Sequence, residues 1–343
     1  MSYPNISDDD FNNSLLSHKE MYSLKADPER NFRDPIEARS DILLSKHLKI
    51  HSYQIFVGNL MNPDTPYKRL HLGWTPGTGK TLGALYIASK FIKVYHKMYI
   101  NLAAKTQAGR RNYAEMDRNT PTVFVLGFGG TKSAYPEFGF ITVSEKEELV
   151  KRNHLANSGL PDDIRHLKEY SAMLKKRIWN KNKDGFFKFF GYDEFVNRLF
   201  HSDEIKLTDL EAIAIQKLRA GETTTLEDVF REYIKNGKIQ VNTQLLAMFE
   251  HSLMICDEIH DTYNMNMKNN RGVAIQYVLD SVPSLRFLSM SATPVNNSPT
   301  EVVELINYLV PKEQKITKRG FFMNTRTLLP GKLEEIGKLT TGR

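Results

Sequence analysis

A chain of 343 residues with 41% hydrophobic and 25% charged side chains has ordinary globular composition, enough for one large α/β domain with an insertion or for two small domains. The single cysteine, Cys256, excludes an intramolecular disulfide framework and suits a reducing compartment. No apolar run approaches the ~18 residues needed to cross a bilayer, and the opening residues, with Asp8-Asp9-Asp10, make no secretory or transit peptide. The formal net charge of +7 and pI near 9.1 suit a protein that meets a polyanion.

Residues 1–45 read as a polar, partly helical lead-in without strong periodicity, and the core begins near residue 46. His51-Ser52-Tyr53-Gln54-Ile55-Phe56 fits an amphipathic helix with Gln54 as a polar member. Leu70-His71-Leu72 is an apolar segment, followed by Trp74-Thr75-Pro76-Gly77-Thr78-Gly79-Lys80-Thr81 and then by Leu82 and residues of helical spacing to about His96. Strand, glycine loop and helix form the context of a phosphate-binding loop. Glycines let backbone N–H groups point at phosphate oxygens, and the helix N-terminus adds favourable partial charge. Lys80 would reach the β- and γ-phosphates of ATP, and the Thr81 hydroxyl would ligate Mg²⁺. Trp74 stands where the common pattern has its first glycine.

Pro121-Thr122-Val123-Phe124-Val125-Leu126-Gly127-Phe128 is the next predicted strand, with Gly129-Gly130-Thr131-Lys132 at its end. Roughly 145–245 read as helical elaboration on the core sheet, interrupted by a strand and loop at Gly191–Asn197. Within it, Lys175-Lys176-Arg177-Ile178-Trp179 could neutralise phosphates and stack a base, or could be a solvated helix end, followed by a buried strand over Phe186-Phe187-Lys188-Phe189-Phe190 that leads to Tyr192. Ser252-Leu253-Met254-Ile255-Cys256-Asp257-Glu258-Ile259-His260 is an apolar run ending in two carboxylates, which reads as a buried parallel strand with ligand groups at its carboxyl end. Asp257 there could hold Mg²⁺ through water while Glu258 orients and deprotonates an attacking water. Leu285-Arg286-Phe287-Leu288-Ser289-Met290 is a further strand, leading into Ser291-Ala292-Thr293-Pro294.

The loop Gly77-Thr78-Gly79-Lys80-Thr81, the Asp257-Glu258-Ile259-His260 run and Ser291-Ala292-Thr293 resemble motifs I, II and III of superfamily-two helicases, the DEAD/DEAH-like group. Asn62-Pro63-Asp64-Thr65-Pro66-Tyr67, Gly191-Tyr192-Asp193-Glu194-Phe195-Val196-Asn197 and Lys268-Asn269-Asn270-Arg271-Gly272 are similar to segments of helicase-like ATPases of nucleocytoplasmic large DNA viruses, a group that includes the small subunit of the poxvirus early transcription factor.

The resemblance implies a RecA-like P-loop NTPase domain of α/β class, with a mostly parallel sheet, helices on both faces and a helical insertion, over about 46–320. Residues 321–343 would then be a linker toward a second RecA-like domain. ATP and Mg²⁺ would be bound by Thr75, Pro76, Gly77, Thr78, Gly79, Lys80, Thr81 and Leu82, with Gln54 reading adenine. Lys80, Asp257 and Glu258 would carry catalysis, Thr81 and Asp257 would hold the metal, and His260, Ser291 and Thr293 would couple nucleotide state to nucleic acid. Gly130, Thr131 and Lys132 match motif Ia, which touches the nucleic-acid backbone. The implied partners are DNA or RNA and a viral RNA polymerase or transcription-factor subunit, and the implied location is the host cytoplasm, with packaging in the virion. The second domain's arginine-bearing Gln-x-x-Arg-x-Gly-x-Arg pattern does not occur, so residues 1–343 are expected to be the N-terminal half of a helicase or translocase, hydrolysing ATP very slowly alone. Alternatives are a duplex translocase that does not unwind, or a nucleotide- and nucleic-acid-binding module.

If Lys175, Lys176 and Arg177 meet phosphates, changing all three to Glu should weaken nucleic-acid binding across all sequences and flatten its salt dependence. Filter-binding titrations at several salt concentrations check this, and an unchanged slope returns the segment to a solvated face.

Overall fold

The computed structural model describes residues 3–22, 51–88, 91, 122–128, 187–222, 225–264 and 267–343. Among the described residues the centre is a sheet of five strands, β1 (Arg69–Leu72), β2 (Val123–Leu126), β3 (Phe187–Phe190), β6 (Leu253–Asp257) and β7 (Arg286–Met290). They lie in the order β1-β7-β6-β2-β3, and every pairing is parallel. A second sheet, β4 (Phe200–His201) with β5 (Gln240–Val241), is a two-residue antiparallel ribbon.

The strands of the centre are short apolar runs, as expected of a sheet covered on both sides. Period-two alternation then sorts their side chains to two faces. Leu70, Leu72, Val123, Val125, Leu253, Ile255, Leu288 and Met290 pack on one face with α3 (Ser52–Leu60) and α4 (residues 80–88). Phe124, Leu126, Met254, Cys256 and Phe287 pack on the other with α5 (Tyr192–Leu199), α6 (Leu207–Arg219), α7 (Leu226–Lys235), α9 (Asn270–Ser281) and α10 (Glu301–Leu309). Helices therefore cover both faces of the described sheet, and the α/β class read from the sequence holds.

The lead-in does more than its polar composition implies. Its helices α1 (Phe11–Leu16) and α2 (Lys19–Tyr22) bury Phe11, Leu15 and Met21 in the same cluster as Tyr67 and Leu70. Two details of the insertion differ from expectation. The strand expected over Phe186–Phe190 is present as Phe187–Phe190, but it pairs with β2 as the outermost described strand of the central sheet rather than belonging to an elaboration upon it. Gly191 through Asn197 is the start of a helix, not a strand and loop. Gly191 takes the cap position with extended backbone, Asp193 and Glu194 fill the first turn, and Tyr192, Phe195, Val196 and Leu199 form the buried face. The aromatic run before it outweighed this pattern in the sequence reading.

Most described residues between 198 and 247 are helical, in α6, α7 and α8 (Thr243–Ala247), as the spacing of Asp209–Leu218 suggests. The segment expected as a linker contains α12 (Lys332–Thr340), following the short α11 (Lys318–Phe321). Ile336 and Leu339 pack with Val303, Phe321 and Phe322, so this helix adds to a small satellite core beside α10.

Arg286 begins β7 and is buried, and its guanidinium donates to three main-chain carbonyls, of Pro63, Thr65 and Tyr67. Burial pulls its pKa down to about 10, partly offset by Asp64. The group thereby fixes the loop that leads into β1. Arg286→Met should leave three carbonyls short of a donor and cost about 2–4 kcal/mol, read as a lower urea midpoint with an unchanged slope.

Candidate functional site

Because the sheet is parallel, the residues after β1, β6 and β7 emerge at one edge. The register is explicit: Leu72 pairs with Met290, and Met290 pairs with Asp257. The last residues of the three strands thus stand in a row, with β7 between the other two. Neighbouring strands lie about 4.8 Å apart, so the glycine loop and the acid pair start roughly two spacings from one another.

The loop itself depends on two glycines in the left-handed region, Gly77 at φ 82° and Gly79 at φ 80°. Nothing lies within 4 Å of where a Gly77 side chain would begin, whereas at Gly79 a side chain would meet the Gln54 amide nitrogen at 2.7 Å. The Thr78 hydroxyl donates to the Thr75 carbonyl at 2.7 Å, which closes the turn. Thr75, Pro76 and Gly77 are exposed, while Thr78, Gly79, Lys80, Thr81 and Leu82 are half-buried. Lys80 opens α4, and its ammonium donates to the Trp74 carbonyl at 2.9 Å. The replacement of glycine by Trp74 also finds its reason here. The indole stands edge-on to Tyr53 at 4.8 Å and covers Gly83, where a side chain would come within 2.9 Å of the ring. It wedges the loop between α3 and α4.

Gln54 is buried against this loop. Its Nε2 donates to the Gly79 carbonyl at 3.0 Å, and its Oε1 accepts from the His51 N–H at 2.9 Å, at the start of α3. Each end of the amide carries one hydrogen bond, which leaves a second N–H on Nε2 and a second lone pair on Oε1 outside these two contacts. The adjacent Tyr53, which the sequence reading passed over, donates its hydroxyl to the Thr78 carbonyl at 2.7 Å. Its position beside Gln54 was the available signal.

Asp257 is the last residue of β6, and Glu258 turns the chain with φ 52° and ψ 52°. A glutamate in this left-handed conformation stores about 1 kcal/mol or more of strain. A 3₁₀ turn, Ile259–Thr262, follows at once. His260 Nδ1 lies 2.8 Å from the Ser291 hydroxyl and 3.4 Å from the Glu258 carboxylate. Ser291 Oγ also accepts from the Thr293 N–H at 3.1 Å, and Thr293 is exposed. The histidine and both hydroxyl residues picked from the sequence are thus brought together with Glu258. Gly130, Thr131, Lys132, Lys175, Lys176 and Arg177 lie outside the described residues.

His71 is a second residue that the sequence reading left as mere strand. It points to the β7 side, with Nδ1 at 3.0 Å from the Ser289 hydroxyl, and Nε2 is buried with no hydrogen-bond partner among the described residues. Burial, reinforced by the Lys80 charge, pulls its pKa from 6.5 to about 4. The imidazole therefore stays neutral beneath the loop.

A parallel α/β sheet with a glycine turn, an acid pair and a hydroxyl loop at one carboxyl edge is the class of protein that fold and site define, and such edges take ligands. Among curated proteins, the chain is 35% identical over 328 residues to the early transcription factor large subunit homolog of African swine fever virus (isolate Pig/Kenya/KEN-50/1950), covering 87% of this chain and 27% of the relative. It is 24% identical over 350 residues to a protein of Acanthamoeba polyphaga mimivirus named as a candidate ATP-dependent RNA helicase, covering 99% of this chain and 26% of the relative. It is 21% identical over 293 residues to a candidate helicase of Frog virus 3, covering 85% and 23%. The chain spans about a quarter of the length of these relatives. No family model and no solved structure matches it. The likeness is therefore to viral helicase-like and transcription-factor proteins. The African swine fever virus relatives carry the large-subunit name, where the sequence resemblance was drawn to a small subunit.

Since His71 has a folded pKa below its ordinary value, its contribution to stability is present above pH 6.5 and is lost as pH falls toward 4. Between pH 7 and pH 5 the loss should be about 2 kcal/mol from this group alone. Urea unfolding of His71→Gln should show a correspondingly smaller drop over the same interval than the parent chain shows.

Proposed function

We propose that this chain is the ATP-binding part of a helicase-type viral ATPase, a RecA-like P-loop domain of the superfamily-two kind that couples nucleotide hydrolysis to movement on DNA or RNA during viral transcription. The observation that carries the reading is the register of the sheet, which sets the Gly77–Thr81 loop, the Asp257–Glu258 pair and Ser291 at neighbouring strand ends.

The residues fit the nucleotide and its metal. The loop turns on glycines, opens toward solvent and leads into a helix N-terminus, which favours phosphate. Lys80 would exchange its bond to the neutral Trp74 carbonyl for phosphate oxygens. No group of three or more His, Cys, Asp or Glu residues that could hold a metal occurs among the described residues. That suits Mg²⁺, which is commonly held by one or two protein groups with phosphates and waters. Thr81 and Asp257 would hold it, and when bound it would neutralise charge developing on the phosphate oxygens. Glu258 would orient and deprotonate the attacking water. His260, held between the Glu258 carboxylate and the Ser291 hydroxyl, would report changes at Glu258 to the loop ending in Thr293. Gln54 and Tyr53 would keep the loop carbonyls of Gly79 and Thr78 turned inward.

The names of the relatives support nucleic acid and a partner subunit; a transcription-factor subunit or viral RNA polymerase as that partner, and a second RecA-like domain completing the cleft, belong to the proposal. Action in the host cytoplasm and packaging in the virion belong to the same proposal.

Lys80→Ala should weaken ATP binding at least tenfold by loss of the phosphate-facing charge, measured with a fluorescent ATP analogue. Glu258→Gln should keep that binding and lower single-turnover hydrolysis about 10²-fold or more. Normal hydrolysis by the Glu258 variant would remove the acid pair from catalysis.

A further inference from the structure

The segments at 191–197 and 268–272, which lie far apart in the sequence, meet behind the acid pair. Tyr192, the first residue of α5, is buried, and its hydroxyl donates to the main-chain carbonyl of Asp257 at 2.6 Å. The Cys256 thiol lies against the same hydroxyl. The ring of Tyr192 stands edge-on to Phe128, just past the end of β2, at 5.5 Å. The next residue, Asp193, takes both ends of the Arg271 fork at 2.7 and 3.0 Å, and the Arg271 guanidinium also lies over the Phe128 ring at 5.5 Å. Arg271 sits in the first turn of α9. Burial drives the Tyr192 hydroxyl well above its ordinary pKa, so it remains a donor over the whole working range.

The peptide that accepts this bond joins Asp257 to Glu258. Its orientation sets ψ of the one carboxylate residue and φ of the other, and φ at Glu258 is 52°. A left-handed glutamate relaxes unless its surroundings hold it. On the β7 side its carboxylate lies 3.4 Å from His260, which is in turn bonded to Ser291; on the other side Tyr192 donates to that peptide. The Asp193–Arg271 pair is partly exposed, at 74% and 28% of the side chains, so its direct energy is small and its worth is geometric.

We propose that Tyr192 is a positioning residue for the acid pair: its hydroxyl fixes the Asp257–Glu258 peptide and with it the direction in which both carboxylates leave the backbone, and the Asp193–Arg271 bridge holds Tyr192 in place. The proposal rests on the ATP reading above and assigns a role in it to two segments that no nucleotide contact explains. A tyrosine that merely fills the core would contribute to stability without altering the metal requirement of the site.

The test is the Mg²⁺ dependence of binding of a fluorescent ATP analogue by the full 343-residue chain. Tyr192→Phe keeps the ring and removes the donor. It should raise the Mg²⁺ concentration for half-maximal tightening roughly fivefold, the worth of one net hydrogen bond, while affinity without Mg²⁺ stays within about twofold. Asp193→Asn, at an exposed position, should shift the same midpoint in the same direction by less, and serves if Tyr192→Phe fails to fold. An unchanged Mg²⁺ midpoint in a folded Tyr192→Phe or Asp193→Asn chain, in a series where Asp257→Ala moves it, overturns the positioning role alone. If Lys80→Ala and Asp257→Ala both bind like the parent chain, the ATP reading fails and the positioning role falls with it.

Discussion

Parallel pairing of the central strands is the constraint on which the rest depends. In a parallel sheet each strand must return to the same starting edge, so the chain ends of β1, β6 and β7 are forced to one side whatever their side chains are. The pairs Leu72–Met290 and Met290–Asp257 make the alignment residue-accurate. Slipping one strand by a residue would send Leu253 and Ile255 to the face now filled by Met254 and Cys256. The apolar clusters on the two faces therefore hold the site as well as the fold.

Polar groups placed in that frame act mostly on the backbone. Arg286 holds the approach to β1 through carbonyls, and Arg69 does the same for the ends of α9 and α10, donating to Leu279, Tyr308 and Val310. Guanidinium suits this work because it keeps its charge and spreads its donors in a fork. Lys268 is buried between Glu304 at 2.6 Å and Glu227 at 3.2 Å. Burial opposes its charge, yet the two carboxylates carry its pKa upward, so the ammonium persists. Glu304 binds Lys318 as well, at 2.8 Å, so one buried network joins the loop after the acid pair to α7, α10 and α11. Removing Lys268 would leave Glu304 and Glu227 without their shared cation, which costs more than the intact network contributes on balance.

The acid turn is tied on both sides. Tyr263, just past the turn, donates its hydroxyl to the Pro294 carbonyl at 2.6 Å, in the loop that follows β7. His260 reaches Ser291 in the same loop. Tyr192 reaches the Asp257 carbonyl from α5. A strained glutamate at the centre of three fixed contacts is the arrangement expected where a carboxylate must be aimed rather than merely accommodated.

The sequence by itself determined the chemistry of the strand ends. Gly77 and Gly79 before Lys80, Asp257–Glu258 after an apolar run, and Ser291 after another are local patterns, set by what a tight turn or a buried strand tolerates. The continuous apolar run Val123–Leu126 likewise marked a buried strand. What only the tertiary structure decided were contacts between residues far apart in the chain. That Gln54 would spend its amide on Gly79, that Trp74 would need Gly83, that His71 would lie neutral beside Ser289, and that Tyr192 would reach Asp257 could not be read from spacing. The helix beginning at Tyr192 was missed because the aromatic run Phe186–Phe190 carries strand propensity and Gly191 looks like a turn. Local periodicity records burial and backbone conformation, which are set within a few residues. The partner of a polar atom is set by strand order and register, which the whole chain decides.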